Sequence, residues 1–394
     1  MTSRAAVVPT AARIPVIDAL RGFALFGILL VNMRAWSGWS GPMPEAHRLA
    51  LSGSDMIWWY SFFCTALLEG KFYTIFAFLF GWGASLQLDR IGPTAVKVYR
   101  RRLQFLLIIG ISHMVLLWAG DILALYAILG FAVLLSRRLD DRTLLITAAG
   151  LVVLPIAGVW LVLVAGVDPD LRFFELGRQI FLDLGGNYDA AWQWRERADW
   201  SSFIAWNLAG PWFRIGELLM NWRAATVLGT MLVGTWAARR KNRLLEDRQY
   251  LLRVAIWGTL IGLPASIVLA VIGGLVRSDA DVRMLGVTAY ALGVVPLGLA
   301  YAAAFALICT QSQWLSKILA PAGRMALTNY LAQSLLGVTI FYGVGFGLIN
   351  QVNPVQFTAM GAAIFALQIC WSHLWLAHCR HGPIEYFWRR HVYR

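Results

Sequence analysis

His113 and Asp121 are the residues of this chain whose types and spacing most directly suggest chemistry. They stand eight apart, in Ile111-Ser112-His113-Met114 and Trp118-Ala119-Gly120-Asp121-Ile122-Leu123, where two apolar runs meet. A histidine takes and gives a proton near neutral pH, and a carboxylate beside it fixes which ring nitrogen carries that proton. The Ala119-Gly120 turn would fold the two runs into an antiparallel pair and bring both groups to one end. A plainer reading is a buried histidine satisfied by a neighbouring hydroxyl or carbonyl. Ionisable groups inside membrane helices are rare and mostly functional, which favours the chemical reading.

A second set of polar residues lies along other apolar runs. The stretch Ile17 to Asn32 reads as a membrane helix, yet it holds Asp18, Arg21 and Asn32. A charge at the centre of such a helix costs roughly 2.5–3.5 kcal/mol on insertion scales, so this one is expected to line a polar passage. Asp18 and Arg21, three apart, share a face and can neutralise each other; a pair that only anchors the helix end is the competing reading. Lys71, in Glu69-Gly70-Lys71-Phe72, either snorkels to an interface or joins the passage. Asn329 and Gln333, four apart, put two amides on one helical face, where they either bind helices together or line the same cavity.

Lys97, Arg100, Arg101 and Arg102 open a further helix. Such a run can bind the phosphates of a cytosolic cofactor, or can anchor the helix on the cytoplasmic side. His373, His378 and His381 cluster with Cys370 and Cys379 but offer no histidine pair at i, i+4, so no metal site is expected. Cys64, Cys309, Cys370 and Cys379 contain no CxxC and are expected to be buried thiols.

The elements that position these residues follow from composition. The 394 residues are 59% hydrophobic and only 14% charged, with a mean hydropathy of +0.63. Soluble domains hold about 25% charged residues, so an all-α, polytopic membrane protein is expected. Nineteen Trp and 12 Tyr suit interfacial aromatic belts. Apolar runs place helices at 16–34, 58–88, 102–119, 121–136, 143–167, 222–238, 251–276, 284–310, 325–349 and 357–379. The second is too long for one span, so 55–69 is expected to be a tilted lead-in that breaks at Gly70-Lys71. Residues 201–220 hold Pro211, Arg214 and Glu217 and are expected not to span. With 168–200 they would form a cap, including an amphipathic stretch at 172–184. The polar start, Met1 to Arg13, does not resemble a cleavable signal peptide.

Most of the 34 Lys and Arg fall on one side of this ten-helix arrangement when both termini are cytoplasmic. The net charge of +13 therefore reads as topology, not as a nucleic-acid surface. The expected organisation is a five-helix half at 1–167, a cap and re-entrant segment at 168–221, and a second five-helix half at 222–394. Small-residue helix faces would permit a homodimer.

Taken in order, these stretches resemble the YeiB family of bacterial inner-membrane proteins, whose C-terminal half is a domain of unknown function. The resemblance rests on Asp18-x-x-Arg21-Gly22 with Asn32, on Gly70-Lys71-Phe72 through Leu79-Phe80-Gly81-x-Gly83, and on His113 with Gly120-Asp121-Ile122-Leu123. The segment from Gly323 to Gln333 and Gly382-Pro383-x-Glu385-x-x-Trp388-Arg389 complete it. The start of the first helix is also similar to two groups of membrane acyltransferases. In the bacterial O-acyltransferases an arginine matching Arg21 is followed by a histidine where this chain has Asn32. The lysosomal heparan glucosaminide N-acetyltransferases carry a pattern closer to Arg21-Gly22 and Val31-Asn32, with a histidine in the next loop, where this chain has His47.

These resemblances imply a bacterial inner-membrane enzyme that moves an acyl group, acetyl above all, from acyl-CoA to a small-molecule, glycan or lipid acceptor. His113 would act as base, oriented by Asp121, and Asn32 or Arg21 would stabilise the oxyanion. Arg21, Lys97, Arg100, Arg101 and Arg102 would hold the cofactor, and Asp18, Lys71, Asn329 and Gln333 would line the path. A transporter using the same polar passage is the second reading. It predicts inverted repeats, and the two halves share no motif.

Overall fold

The computed structural model describes residues 14–41, 43–90, 94–187, 191–220, 222–240, 246–273 and 279–392. Among them every regular element is helical. The terminal residues, 1–13 and 393–394, whose side of the membrane the charge pattern addresses, lie outside this set. So does 241–245 within the basic run 239–253.

Six helical segments are long and apolar enough to cross a membrane: Pro15–Trp36, Glu45–Asp89, Asp141–Ala165, Arg248–Val271, Ala280–Gln311 and Pro354–His378. Two shorter apolar helices, Leu123–Ser136 and Ala326–Phe341, join them. In chain order the elements are α1 (Pro15–Trp36), α2 (Glu45–Phe63), α3 (Lys71–Arg90), α4 (Ala95–Leu116), α5 (Leu123–Ser136) and α6 (Asp141–Ala165). Next come α7 (Leu171–Asp183), α8 (Ala191–Trp194), α9 (Trp200–Met220), α10 (Arg223–Arg239) and α11 (Arg248–Val271). The last are α12 (Ala280–Gln311), α13 (Gln313–Arg324), α14 (Ala326–Phe341), α15 (Pro354–His378) and α16 (Pro383–Val392).

The long run expected at 58–88 is divided where its glycine predicted. A π-helical turn, Cys64–Leu68, follows α2, Glu69 is extended, and Gly70 takes a φ of +87° before α3 begins. That left-handed backbone is open to glycine at little cost. The helix expected at 102–119 starts at Ala95, so Lys97, Arg100, Arg101 and Arg102 lie within α4 and not ahead of it. The helix expected over 325–349 ends at Phe341. Tyr342 is extended, and the glycines at 343, 345 and 347 lead into turns.

α13 is an element the apolar runs did not signal, because Lys317 and Pro321 interrupt them. It buries Ser316, Leu319, Ala322 and Gly323, a spacing that lays one face against α1. A Cβ added to Gly22 would strike the Leu319 carbonyl, and one added to Gly323 the Asp18 carbonyl, so glycines set this close approach. Gly81 and Gly234 do the same for α3 and α10, each facing the other helix's backbone. Because α1 packs on α13, α14 and α15, and α3 on α10 and α12, the segments 1–167 and 222–394 interlock in one bundle.

The bundle has two chemically distinct ends. The basic end gathers the starts of α1, α4 and α14, the α5–α6 turn and α16. There Arg239 donates to the Leu139 carbonyl (2.8 Å) and to Asp141 (3.0 Å). The histidine end gathers the last turn of α1, the α4–α5 turn and the segment 168–220. α9 is one unbroken helix, opened by Asp199, whose carboxylate accepts from Ser202 N–H at 2.7 Å. The Ser201 hydroxyl, then the Ser202 N–H and hydroxyl, hold this carboxyl down at about 2. α9 packs on α4, α7 and α10, and Asn207 donates to the Leu117 carbonyl at 3.4 Å.

Candidate functional site

His113 projects inward from the last turn of α4, and Asp121 comes from the turn before α5. Gly110 lets the α5 backbone approach α4 there, since a Cβ at that position would meet Ala124. His113 Nδ1 lies 3.0 Å from Asp121 Oδ1, with 1% and 0% of the side chains exposed. The other carboxylate oxygen accepts the Ala124 N–H at 2.7 Å, fixing Asp121 at the positive end of α5. His113 Nδ1, His113 Nε2 and Asp121 Oδ1 are all buried without a hydrogen bond of standard geometry among the described residues, so the 3.0 Å approach is a charge contact that a small turn of the ring would align. A carboxylate at Nδ1 selects the tautomer whose Nε2 holds a lone pair, which is the form of a general base.

Aromatic rings frame the pair. Trp118 and Tyr330 sit at 6.5 and 5.4 Å from His113 between ring centroids, and Trp36 packs at a tilt on Trp118 at 4.9 Å. The Tyr330 hydroxyl receives the Ile122 N–H at 3.3 Å, tying α14 to the α4–α5 turn.

Beside this pair lies a charged group that the motifs had not singled out as functional. Glu217 of α9 bridges Arg214 at 2.7 Å and Arg223 of α10 at 3.0 Å. Arg223 stands over the Tyr73 ring at 5.7 Å, the Tyr73 and Tyr290 hydroxyls share a hydrogen bond, and Tyr126 donates to the Tyr73 carbonyl at 2.8 Å. α9 lies against the α4–α5 turn, where a Cβ on Gly210 would meet Ala119, and Tyr126 of α5 reaches Tyr73, so packed elements carry both groups. The sequence signal was the pair of charges in an otherwise apolar 201–220, which marked only a segment expected not to span.

The other residues of interest fall in three places. Lys71 is fully buried and donates from Nζ to the Thr65 carbonyl at 2.7 Å, closing the π-helical turn. Glu69 next to it faces Arg34 at 3.5 Å. Asn32 is half-buried on α1, one turn before Trp36. Asn329 and Gln333 join α14 to α15. Asn329 Nδ2 donates to the Ala322 carbonyl (3.1 Å) and to Ser372 (3.0 Å), and Gln333 Nε2 to Gln368 (2.9 Å). Gln368 in turn donates to the Asn329 carbonyl at 2.9 Å.

At the basic end, Arg21 and Asp18 pair at 2.5 Å, the arginine keeping 30% of its side chain exposed. Arg21 also reaches toward Gly83 of α3. Lys97 and Arg100 are exposed and Arg101 is half-buried. Arg102 turns inward to Gln87 at 2.8 Å and packs over Phe80 and Trp388. His47 lies elsewhere, 2.8 Å from the Asn350 carbonyl and against Trp192, where it pins the cap to the turns after α14. Among the described residues no group of three His, Cys, Asp or Glu could hold a metal ion.

Fold and site together define an all-helical membrane protein with a histidine–carboxylate pair buried at one end of its bundle. The family described as "Protein of unknown function (DUF418)" matches residues 237–394. "Uncharacterized protein YxaH" of Bacillus subtilis (strain 168) is 31% identical over 402 residues, covering 97% of this chain and 94% of that protein. "Uncharacterized protein YeiB" of Escherichia coli (strain K12) is 29% identical over 398 residues, covering 95% and 94%. "Uncharacterized 39.9 kDa protein in amylase 3'region" of Bacillus acidopullulyticus is 27% identical over 389 residues, covering 97% and 94%. The chain belongs to this YeiB-like family. No solved structure matches it.

Proposed function

We propose that this protein is an acyltransferase of the bacterial inner membrane, crossing it ten times with the basic end and both termini in the cytoplasm. The ten crossings are α1, α3, α4, α5, α6, α10, α11, α12, α14 and α15. The observation that carries the activity is the buried His113–Asp121 pair with a free Nε2. His113 takes the proton of an acceptor hydroxyl or amine, whose heteroatom then bonds to the acyl carbonyl carbon. The carbon–sulfur bond breaks, and the departing thiolate takes up a proton as free CoA. Asp121 holds the imidazole and stabilises its cationic form. Asn32, toward the histidine end of α1, faces developing negative charge, and Arg21, at the basic end, joins the groups that hold the cofactor.

Lys97 and Arg100 offer exposed charge for the phosphates of acetyl-CoA or another acyl-CoA, with Arg101 and Arg102 behind them. Sixteen residues of α4 separate Lys97 from His113, about 24 Å at 1.5 Å per residue, a span suited to an extended pantetheine arm. Asp18, Lys71, Asn329 and Gln333 border the path between the two ends. The acceptor is a small molecule, glycan or lipid on the far side. The test uses purified protein in nanodiscs with radiolabelled acetyl-CoA. Saturable donor binding is expected, weakened when Arg100 and Arg101 are both replaced by glutamine, together with label transfer or slow hydrolysis that His113→Ala removes. Absence of donor binding to wild type overturns the reading.

A further inference from the structure

The Arg214–Glu217–Arg223 group is more strongly positive than its own contacts need. Each guanidinium uses one terminal nitrogen on Glu217, and the Nε of each is buried without a partner among the described residues. Buried donors left open cost free energy, and such groups normally meet an ion, a water or a ligand. The arginine side chains are only 13% and 15% exposed while Glu217 is 38% exposed, so the carboxylate stands between the two cations and the outside. Tyr73 and Tyr290 put two hydroxyls beside Arg223. Arg34 and Lys71 on α1 and α3 outnumber Glu69 there, so these elements add net positive charge. Two guanidinium forks with phenolic hydroxyls match the several oxygens of a phosphate group better than a single carboxylate, which Glu217 already supplies.

We propose that Arg214, Arg223 and the Tyr73–Tyr290 pair bind a phosphate ester, with Glu217 as the internal anion it displaces. Resting on the acyl-transfer reading, this phosphate is a remote group of the acceptor, whose reacting hydroxyl or amine extends past Tyr330 to His113. The source is a phospholipid headgroup or a soluble sugar phosphate.

Binding is tested without any acyl donor, so its outcome is independent of catalysis. Full-length protein in micelles is titrated with phosphatidylglycerol, phosphatidylcholine or glycerol 3-phosphate and followed by native mass spectrometry. Wild type is expected to retain at least one of the three, phosphatidylglycerol alone pointing to an anionic lipid and glycerol 3-phosphate to a soluble ester. Arg223→Gln should weaken that binding at least tenfold, and Arg172→Gln, an exposed cation on α7, should leave it unchanged. Glu217→Gln keeps both arginines and should tighten binding severalfold, a direction that a purely structural ion pair would not produce. No binding of any probe to wild type, or binding insensitive to Arg223→Gln and Glu217→Gln, overturns the proposal. Should Arg223→Gln not fold, the Glu217→Gln result decides alone: unchanged or weaker binding refutes it.

Discussion

At the basic end, Glu385 of α16 accepts from Leu327 N–H (2.8 Å), Thr328 N–H (3.1 Å) and the Thr328 hydroxyl (2.5 Å). It thereby caps α14 from another helix, and Arg102 is likewise shared between Gln87, Phe80 and Trp388. At the histidine end, His113, Arg214 and Arg223 are more deeply enclosed, yet each keeps a nitrogen without a partner among the described residues. Polar groups that face solvent are cheap to leave unpaired, and those in an apolar bundle are not. Open valences occur at both ends, Gln87 Nε2 and Tyr99 Oη among them at the basic one, but at the histidine end they belong to a histidine and two arginines carried by packed elements. That distribution is expected of a reacting or binding site and not of an anchor.

The widest gap between the ends should appear in activity. His113→Ala is expected to lower acyl transfer by about 10²–10⁴-fold while the protein still purifies as a folded species, because removing a general base loses that much rate. Asp121→Asn should cost activity at least about tenfold, and also lower the melting temperature by loosening the start of α5. If it lowers only the melting temperature, the pair is structural.

At the basic end the effects should be smaller and should separate stability from donor binding. Glu385→Ala removes the cap of α14 and is expected to destabilise the protein by about 1–2 kcal/mol, read as a melting shift with unchanged donor affinity. Arg100→Gln, on an exposed face, should raise the KM for acetyl-CoA severalfold and leave stability within about 0.5 kcal/mol.

The smallest effect concerns the cap. Asp199 is held at about 2, below the usual carboxylate value of 3.8, so its contribution to the α9 start is complete above pH 4. It should fade as pH falls from 4 toward 2. Hydrogen exchange at Ser202 and Phe203, corrected for intrinsic rates, should show this opening, and Asp199→Asn should remove most of the pH dependence.

Much of this was legible in the chain. Apolar length and the glycine at 70 located α1, the α2–α3 break and α3, and charge at 214 and 217 separated α9 from the apolar spans. The meeting of His113 with Asp121 followed from the short break between two apolar runs, although the helices stop at Leu116 and resume at Leu123, so the connection is longer than the expected Ala119-Gly120 turn. α13 escaped because its buried residues repeat at helical spacing within a polar stretch too weak in hydropathy to register. The Arg214–Glu217–Arg223 group escaped for a different reason. Its third member lies across the α9–α10 junction, and Tyr73 and Tyr290 join it from distant parts of the chain. Asn329 and Gln333 were visible as paired amides, but only the position of Gln368 and Ser372 on α15 shows what they grip.

The embrace of α1 by α13 also bears on how the molecule is made. α1 enters the membrane among the first helices, carrying the Asp18–Arg21 pair and a groove at Gly22 that accepts Leu319 and Gly323. Some 290 residues of further synthesis separate that groove from its filler. Until then the nascent helix offers the bilayer an uncovered notch and a charged pair, an invitation to insertion chaperones and quality-control proteases. A chain halted before Gln313 would leave that notch open for good, so pulse-labelled truncations ending near residue 311 should be cleared faster than those ending after Arg324.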